Sequence, residues 1–207
     1  MKDKKALVVV DIQNDFCPGG ALEVTQGDEI IPIVNRIMIS FNKIIATQDW
    51  HPQNHQSFAS NNEGSAPYDV INLGVTEQVL WPDHCIMGTT GSEFHKDLHT
   101  DHFDLIIRKG QHREIDSYSG FLENDKITET GLRGYLQGLE LKTIYIAGLA
   151  TDYCVFYTAI DAVNYGFNVY LIEDACRGID VPENNIKNSL ESMKKAGIQI
   201  IQSDEIV

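Results

Sequence analysis

Residues 143–172 read TIYIAGLATDYCVFYTAIDAVNYGFNVYLI, and this stretch decides the fold. Thr143 to Ala147 and Asn168 to Ile172 are short runs rich in β-branched and aromatic residues, as strands are. Between them, from Asp152 to Tyr165, Val155, Ala159, Ala162 and Val163 recur at helical spacing. Strand, helix and strand in that order form a βαβ unit with a right-handed crossover. Downstream the pattern repeats, with a helix over Asn184 to Ala196 and a strand over Ile198 to Gln202. Upstream lie a helix around Thr130 to Leu139 and three strands: Ala6 to Val10, Lys43 to Thr47 and Asp104 to Arg108. A helix across Asp28 to Phe41 links the first two of these. Ala6 to Val10 is apolar without alternation, as expected of a strand buried on both faces. The predicted fold is a three-layer α/β/α arrangement with a mostly parallel sheet of about six strands. No repeat, low-complexity tract or linker divides residues 1–207, so they read as a single domain. The long segment between Thr47 and Asp104, rich in Pro, Asn, His and Gly, reads as a functional loop.

The composition narrows the function. The 207 residues carry 16 Lys+Arg against 30 Asp+Glu, a formal net charge of −14, with 43% apolar residues. General disorder is excluded by the apolar share. The negative balance, with no basic cluster to reverse it, argues against nucleic acid and anionic membrane surfaces as partners and favours a small neutral molecule. Ala6 to Val10, the longest aliphatic run near the start, is too short for a membrane span or a secretory signal, which predicts a cytoplasmic protein. Cys17, Cys85, Cys154 and Cys176 are scattered without a C-x-x-C pair and read as reduced thiols.

In an open parallel sheet, ligands bind beyond the carboxyl ends of the strands. Asp11 ends the first strand, Asp49, Trp50 and His51 follow the second, Lys109 follows the third, and Cys154 follows the fourth. With Thr151 or Asp152 as cap, Cys154 falls in a first helical turn, where unpaired N–H groups and the dipole lower a thiol's pKa and could form an oxyanion hole. The same cysteine also fits a small buried apolar position. The other three lack that setting and read as structural. Asp11 could take the thiol proton while Lys109 keeps it ionised, an arrangement suited to amide hydrolysis; an Asp–Lys salt bridge steadying the sheet edge fits the spacing equally. Asp49, His51 and His55 in one loop and His84 in another supply the donors that Zn, Fe or Mn accept, although loop histidines are more often solvated. His95, His99, His102 and His112 sit among charged residues and read as surface. Phe16, Trp81 and Tyr118 adjoin the reactive segments and could sandwich a flat ring or simply pack.

Taken together, several ordered segments resemble the nicotinamidase/pyrazinamidase group of the isochorismatase-like cysteine hydrolases. They are Val10-Asp11-Ile12-Gln13-Asn14-Asp15-Phe16-Cys17-x-Gly19-Gly20, Thr47-Gln48-Asp49-Trp50-His51-Pro52 and Trp81-Pro82-x-His84-Cys85. Lys109-Gly110, Asp116-Ser117-Tyr118-Ser119-Gly120-Phe121 and Gly148-Leu149-Ala150-Thr151-Asp152-Tyr153-Cys154-Val155 complete the set. The resemblance implies an isochorismatase-like hydrolase fold, a catalytic triad of Asp11, Lys109 and Cys154, and Asp49, His51 and His84 as ligands of one divalent metal, with Zn favoured over Fe or Mn. His55 matches a position that is a ligand in some members only. It also implies a cis peptide at Leu149-Ala150, with the N–H groups of Ala150 and Cys154 as the oxyanion hole, and Phe16, Trp81 and Tyr118 around the substrate ring. The implied reaction is hydrolysis of nicotinamide to nicotinate and ammonia through a Cys154 thioester, in NAD salvage, extending to pyrazinamide. A homo-oligomer is compatible with it.

Two other readings stay open from sequence. A relative acting on an enol ether, carbamoyl compound or ureido acid would want an arginine in its pocket. Arg108 should point away from Lys109 by strand alternation, leaving Arg113 and Arg177. A non-enzymatic module, storing metal or sensing redox state through Cys154, would keep the residues and drop the triad.

Overall fold

The computed structural model describes residues 4–73 and 76–206. Its centre is β1 (Lys5–Val10), whose apolar run Ala6 to Val10 is fully buried, so both faces of the sheet are covered there. β1 pairs in parallel with β2 (Ile44–Asp49) on one side and with β6 (Thr143–Leu149) on the other. The hairpin of β3 (Val70–Leu73) and β4 (Thr76–Val79) lies outside the main sheet. With β5 (Leu105–Lys109), β7 (Asn168–Arg177) and β8 (Gln199–Ile201), the main sheet runs β5-β2-β1-β6-β7-β8, every neighbouring pair parallel. The helices are α1 (Ile31–Met38), α2 (Leu132–Gly138), α3 (Phe156–Asn164) and α4 (Asn185–Lys195). All six expected strands and all four expected helices are present. No helix among the described residues is long and apolar enough to cross a membrane.

Two expectations need correction. The helix read across Asp28 to Phe41 is a 3-10 turn at Gly27–Ile30 followed by the shorter α1, because Pro32 stands in the first turn of α1 and cannot donate a backbone bond further upstream. The segment read wholly as loop contains the antiparallel hairpin β3–β4. Val70 is 60% exposed and β3 buries neither face well, so the hairpin left no strong periodic signal.

Strand ends aim the site. Asp11 takes a left-handed φ of 47°, turning the chain out of the sheet as β1 stops. Gly148, with φ 132°, lies directly against the backbone of Val10, where a β-carbon would collide. There the register of β6 on β7 shifts between Ile146 and Gly148, an irregularity of the kind that re-aims a chain next to a functional site.

Candidate active site

The four adjacent strands β5, β2, β1 and β6 deliver Lys109, Asp49, Asp11 and Cys154 in that spatial order. Lys109 is completely buried, which a lysine tolerates only when paired. Its ammonium donates to Asp49 Oδ1, to the Ser117 carbonyl at 2.8 Å and to Cys154 Sγ at 3.3 Å. Asp11 Oδ2 lies 2.9 Å from the same ammonium as an ion pair. Its other oxygen accepts from Thr47 Oγ1 at 2.6 Å. Asp11 and Cys154 bring a carboxylate oxygen and the thiol sulfur within 4.8 Å of each other, so the carboxylate stands beside the thiol.

Burial decides the ionisation here. It raises the Asp11 carboxyl above its ordinary value despite the pull of Lys109. It pushes the Cys154 thiol well up, with Lys109 opposing and the two carboxylates adding to the rise. Lys109 stays charged, because Asp11 and Asp49 overcome its own desolvation. The dipole-lowered thiol expected from sequence is thus corrected: burial outweighs the turn's N–H groups and holds the Cys154 thiol well above its ordinary value.

The local backbone also differs from expectation. Thr151–Val155 forms a π-helical turn, in which the Val155 N–H reaches the Ala150 carbonyl at 3.1 Å. Neither Thr151 nor Asp152 caps it. The Asp152 carboxylate instead accepts from the N–H groups of Ile179 and Asp180, both at 2.9 Å, and from Asn185 Nδ2 at 3.1 Å. It ties the turn that carries Cys154 to the loop after β7. The Leu149-Ala150 peptide is cis, and Ala150 and Cys154 both line the pocket.

Beside the triad, Asp49 Oδ2 lies 3.6 Å from His51 Nε2 and 3.9 Å from His84 Nε2. His51 Nδ1 donates to the Gly110 carbonyl at 2.9 Å and His84 Nδ1 to the Pro82 carbonyl at 2.7 Å. Those bonds turn both Nε2 atoms toward Asp49, as metal-ligating histidines are held. His51 Nε2 is buried and has no hydrogen-bond partner. A carboxylate, two converging imidazoles and an orphaned nitrogen fit a divalent cation. Burial pushes His84 down to about 4, with the neighbouring His51 adding to it, so its imidazole is neutral and available. Burial would raise Asp49, but Lys109 and His51 hold it well below the usual carboxylate range.

His55 packs against the other side of the trio, its ring 4.5 Å from that of His51. Its Nδ1 meets Ser57 Oγ at 2.6 Å and its Nε2 the Ile115 carbonyl at 3.4 Å. It forms a second acid–imidazole group with His51 and Asp116, all buried. Asp116 carried no spacing signal that would have marked it beforehand. His99, His102 and His112 are exposed as expected, whereas His95 is half-buried and 3.8 Å from Asp97.

A pocket opens onto Cys154, Asp49 and His84, and Phe16, Trp81 and Tyr118 all line it. Tyr153, not foreseen, completes the wall, its ring 4.8 Å from Trp81 at 87°. Trp81 Nε1 donates to the Tyr118 hydroxyl at 3.0 Å, fixing both rings. Leu22 and Ile179 come in from loops that no sequence pattern links to the site. No arginine lines it among the described residues. Arg108 stacks on Trp50 at 3.9 Å, Arg113 is exposed, and Arg177 pairs with Glu29 at 3.3 Å. Cys17, Cys85 and Cys176 are buried free thiols away from Lys109's bonds.

Comparison with known proteins agrees with this architecture. The isochorismatase domain family matches residues 5–205. A nicotinamidase of Acinetobacter baylyi is 50% identical over 98% of this chain and 94% of its own. The solved nicotinamidase/pyrazinamidase of Acinetobacter baumannii superposes with a TM-score of 0.97 at 49% identity, covering all of both chains. The pyrazinamidase of Pyrococcus horikoshii, solved in complex with zinc, superposes with a TM-score of 0.78 at 41% identity, over 96% of this chain and 99% of its own. This chain belongs to the isochorismatase domain family.

Proposed function

We propose that the protein is a nicotinamidase, hydrolysing nicotinamide to nicotinate and ammonia in NAD salvage, and pyrazinamide by the same chemistry. The observation that carries the reading is that Asp49 and His84, which converge with the buried Nε2 of His51, line the same pocket as Cys154. A ring nitrogen and a carboxamide can occupy such a pocket together. Nicotinamidase relatives across nearly the whole chain support the substrate. The lack of an arginine in the wall argues against anionic enol-ether or ureido substrates. Lys109 bonded at once to Asp49 and Cys154, and paired with Asp11, argues against a module that merely stores metal.

In this reading, Asp11 Oδ2 takes the Cys154 proton as sulfur attacks the carboxamide carbon, which keeps charge separation small in a buried site. The N–H groups of Ala150 and Cys154 receive the developing oxyanion, an interaction whose loss costs on the order of 10²–10³ in rate. Asp11 then gives its proton to the amide nitrogen, the C–N bond breaks and ammonia leaves a Cys154 thioester. A water surrenders a proton to Asp11 and adds to the thioester carbon. The C–S bond breaks, the sulfur recovers the proton from Asp11, and the acid departs, giving up its carboxyl proton to solvent as nicotinate. Lys109 keeps Asp11 near and stabilises the sulfur as it gains charge. Asp49, His51 and His84 would hold one divalent ion, zinc in preference to iron or manganese, and such an ion would supply a Lewis-acid site able to take the ring nitrogen and so orient the carboxamide. Phe16, Trp81, Tyr118 and Tyr153 enclose the ring and exclude water.

The test is ammonia release from nicotinamide by purified protein, beside Cys154→Ala and a metal-stripped sample. Release that vanishes in the variant supports the reading. No release from folded, reduced, metal-loaded protein removes nicotinamide as the substrate.

A further inference from the structure

The segment after β1 contains two side chains that touch neither the pocket nor the triad but grip the backbone at the metal-ligand residues. Gln13 is fully buried. Its Oε1 accepts from the Asp49 N–H at 2.8 Å, and its Nε2 donates to the Asp49 carbonyl and the Ser92 carbonyl, both at 2.8 Å. β1 has ended by this point, so the Gln13 amide replaces the strand that would otherwise flank Asp49. The opposite side of Asp49 is the β5 ladder, in register with Lys109. Asp15 makes the second grip: its Oδ2 accepts from the Cys85 N–H at 2.7 Å and its Oδ1 from the Ala21 N–H at 3.2 Å. Cys85 follows the ligand His84, sits at φ 47°, and its carbonyl accepts from the His51 N–H at 3.0 Å. A left-handed non-glycine residue persists only where its surroundings hold it.

We propose that Gln13 and Asp15 are positioning residues that preorganise the metal site from its two sides, Gln13 through Asp49 and Asp15 through the Cys85 peptide joining His84 to His51. This rests on the assignment of Asp49, His51 and His84 as ligands. The two grips differ in consequence. Asp49 serves both the metal and Lys109, so loosening Gln13 disturbs metal binding and the triad together. Asp15 bears on His84 and His51 through Cys85 and, through Ala21, on the turn before the pocket residue Leu22, but on no bond of Lys109, so loosening it disturbs metal binding and substrate affinity rather than kcat.

The experiment measures zinc affinity by chelator competition on metal-free protein, then kcat at saturating zinc. Gln13→Met removes the amide at similar size. Gln13→Glu keeps the acceptor for Asp49 N–H and loses the paired donations, serving if the first variant does not fold. Asp15→Ala removes the second grip, and Asp15→Asn retains one acceptor oxygen as the conservative rescue. Both Gln13 variants and Asp15→Ala should weaken zinc by about 10- to 100-fold, the usual range for groups that orient metal ligands. At saturating zinc Asp15→Ala should recover kcat, Gln13→Met should not, and Asp15→Asn should recover part of the affinity. Wild-type zinc affinity in all the folded variants would overturn the proposal, as would equal recovery of kcat by Gln13→Met and Asp15→Ala. If wild-type protein itself binds no stoichiometric zinc, the ligand assignment fails instead, and that is seen before any variant is made.

Discussion

Replacing Lys109 with methionine removes one charge and leaves the shape nearly unchanged, so its cost can be worked from the geometry. At 2.9 Å from Asp11 Oδ2, the ammonium is worth about 6 kcal/mol of attraction at an effective dielectric of about 20. Part of that repays the desolvation of both groups, and breaking a buried pair by removing one partner costs roughly 3–5 kcal/mol. A domain holds only about 5–15 kcal/mol in total, so Lys109→Met should fold with a large fraction of its stability gone. The loss should depend on pH. Burial already raises Asp11 in the folded protein, and without Lys109 only the hydrogen bond from Thr47 opposes the rise. A carboxyl whose folded pKa lies above its unfolded value favours folding fully below the unfolded pKa and loses that contribution as pH rises through the folded one. The deficit should therefore be smallest at acid pH and grow toward alkaline pH. Urea denaturation of metal-free wild-type and variant protein across pH reads it directly. In parallel, kcat/KM should fall by at least about 10³, since the variant loses both the ion partner of the base and a donor to the sulfur. Equal stability of the two proteins at alkaline pH, or a variant with more than a tenth of wild-type kcat/KM, would refute this account of Lys109.

Two further outcomes follow from the same site. Burial works against protonating His51, but Asp49 outweighs it and raises the imidazole above its ordinary value, so a proton competes with the ion for Nε2. Zinc should bind more tightly as pH rises through that raised value, and calorimetry in buffers of different ionisation enthalpy should detect a released proton. Tyr118→Phe removes the hydroxyl that accepts from Trp81 Nε1 and, at 3.3 Å, from Gln78 Nε2. Leaving a buried donor unpaired costs about 1–3 kcal/mol, so the aromatic wall should loosen and KM for nicotinamide should rise more than kcat falls, which steady-state kinetics separates.

Much of the architecture could be read from residues alone because strands such as Ala6 to Val10 and helices such as Asn185–Lys195 carry their own periodicity. The hairpin Val70–Leu73 and Thr76–Val79 did not, since a ribbon with little burial has little reason to alternate. At the site, the catalytic and metal-ligand candidates stood out as reactive residue types at strand ends and through the family likeness. Tyr153 and Asp116 did not stand out. One is an aromatic in a turn expected to be an ordinary first helical turn, and the other is a carboxylate brought to His51 and His55 only by the path of its loop. Asp152 was legible as a cap by type, yet its oxygens serve the loop after β7, a choice made by tertiary placement. The Cys154 ionisation was misjudged for a similar reason, because a dipole is visible in sequence and burial is not.

The central position of β1 bears on how the chain is made. Synthesis proceeds from the amino terminus, so β1, β2 and β5 emerge long before β6, which begins at Thr143. A nascent chain can therefore bring Asp11, Asp49 and Lys109 together while the other flank of Ala6 to Val10, the side that β6 will occupy, is an open and wholly apolar strand edge. Such an edge invites pairing with another chain. Until β6 has emerged and paired, that edge stays open to another chain, and the strand that closes it is the one that leads to Cys154.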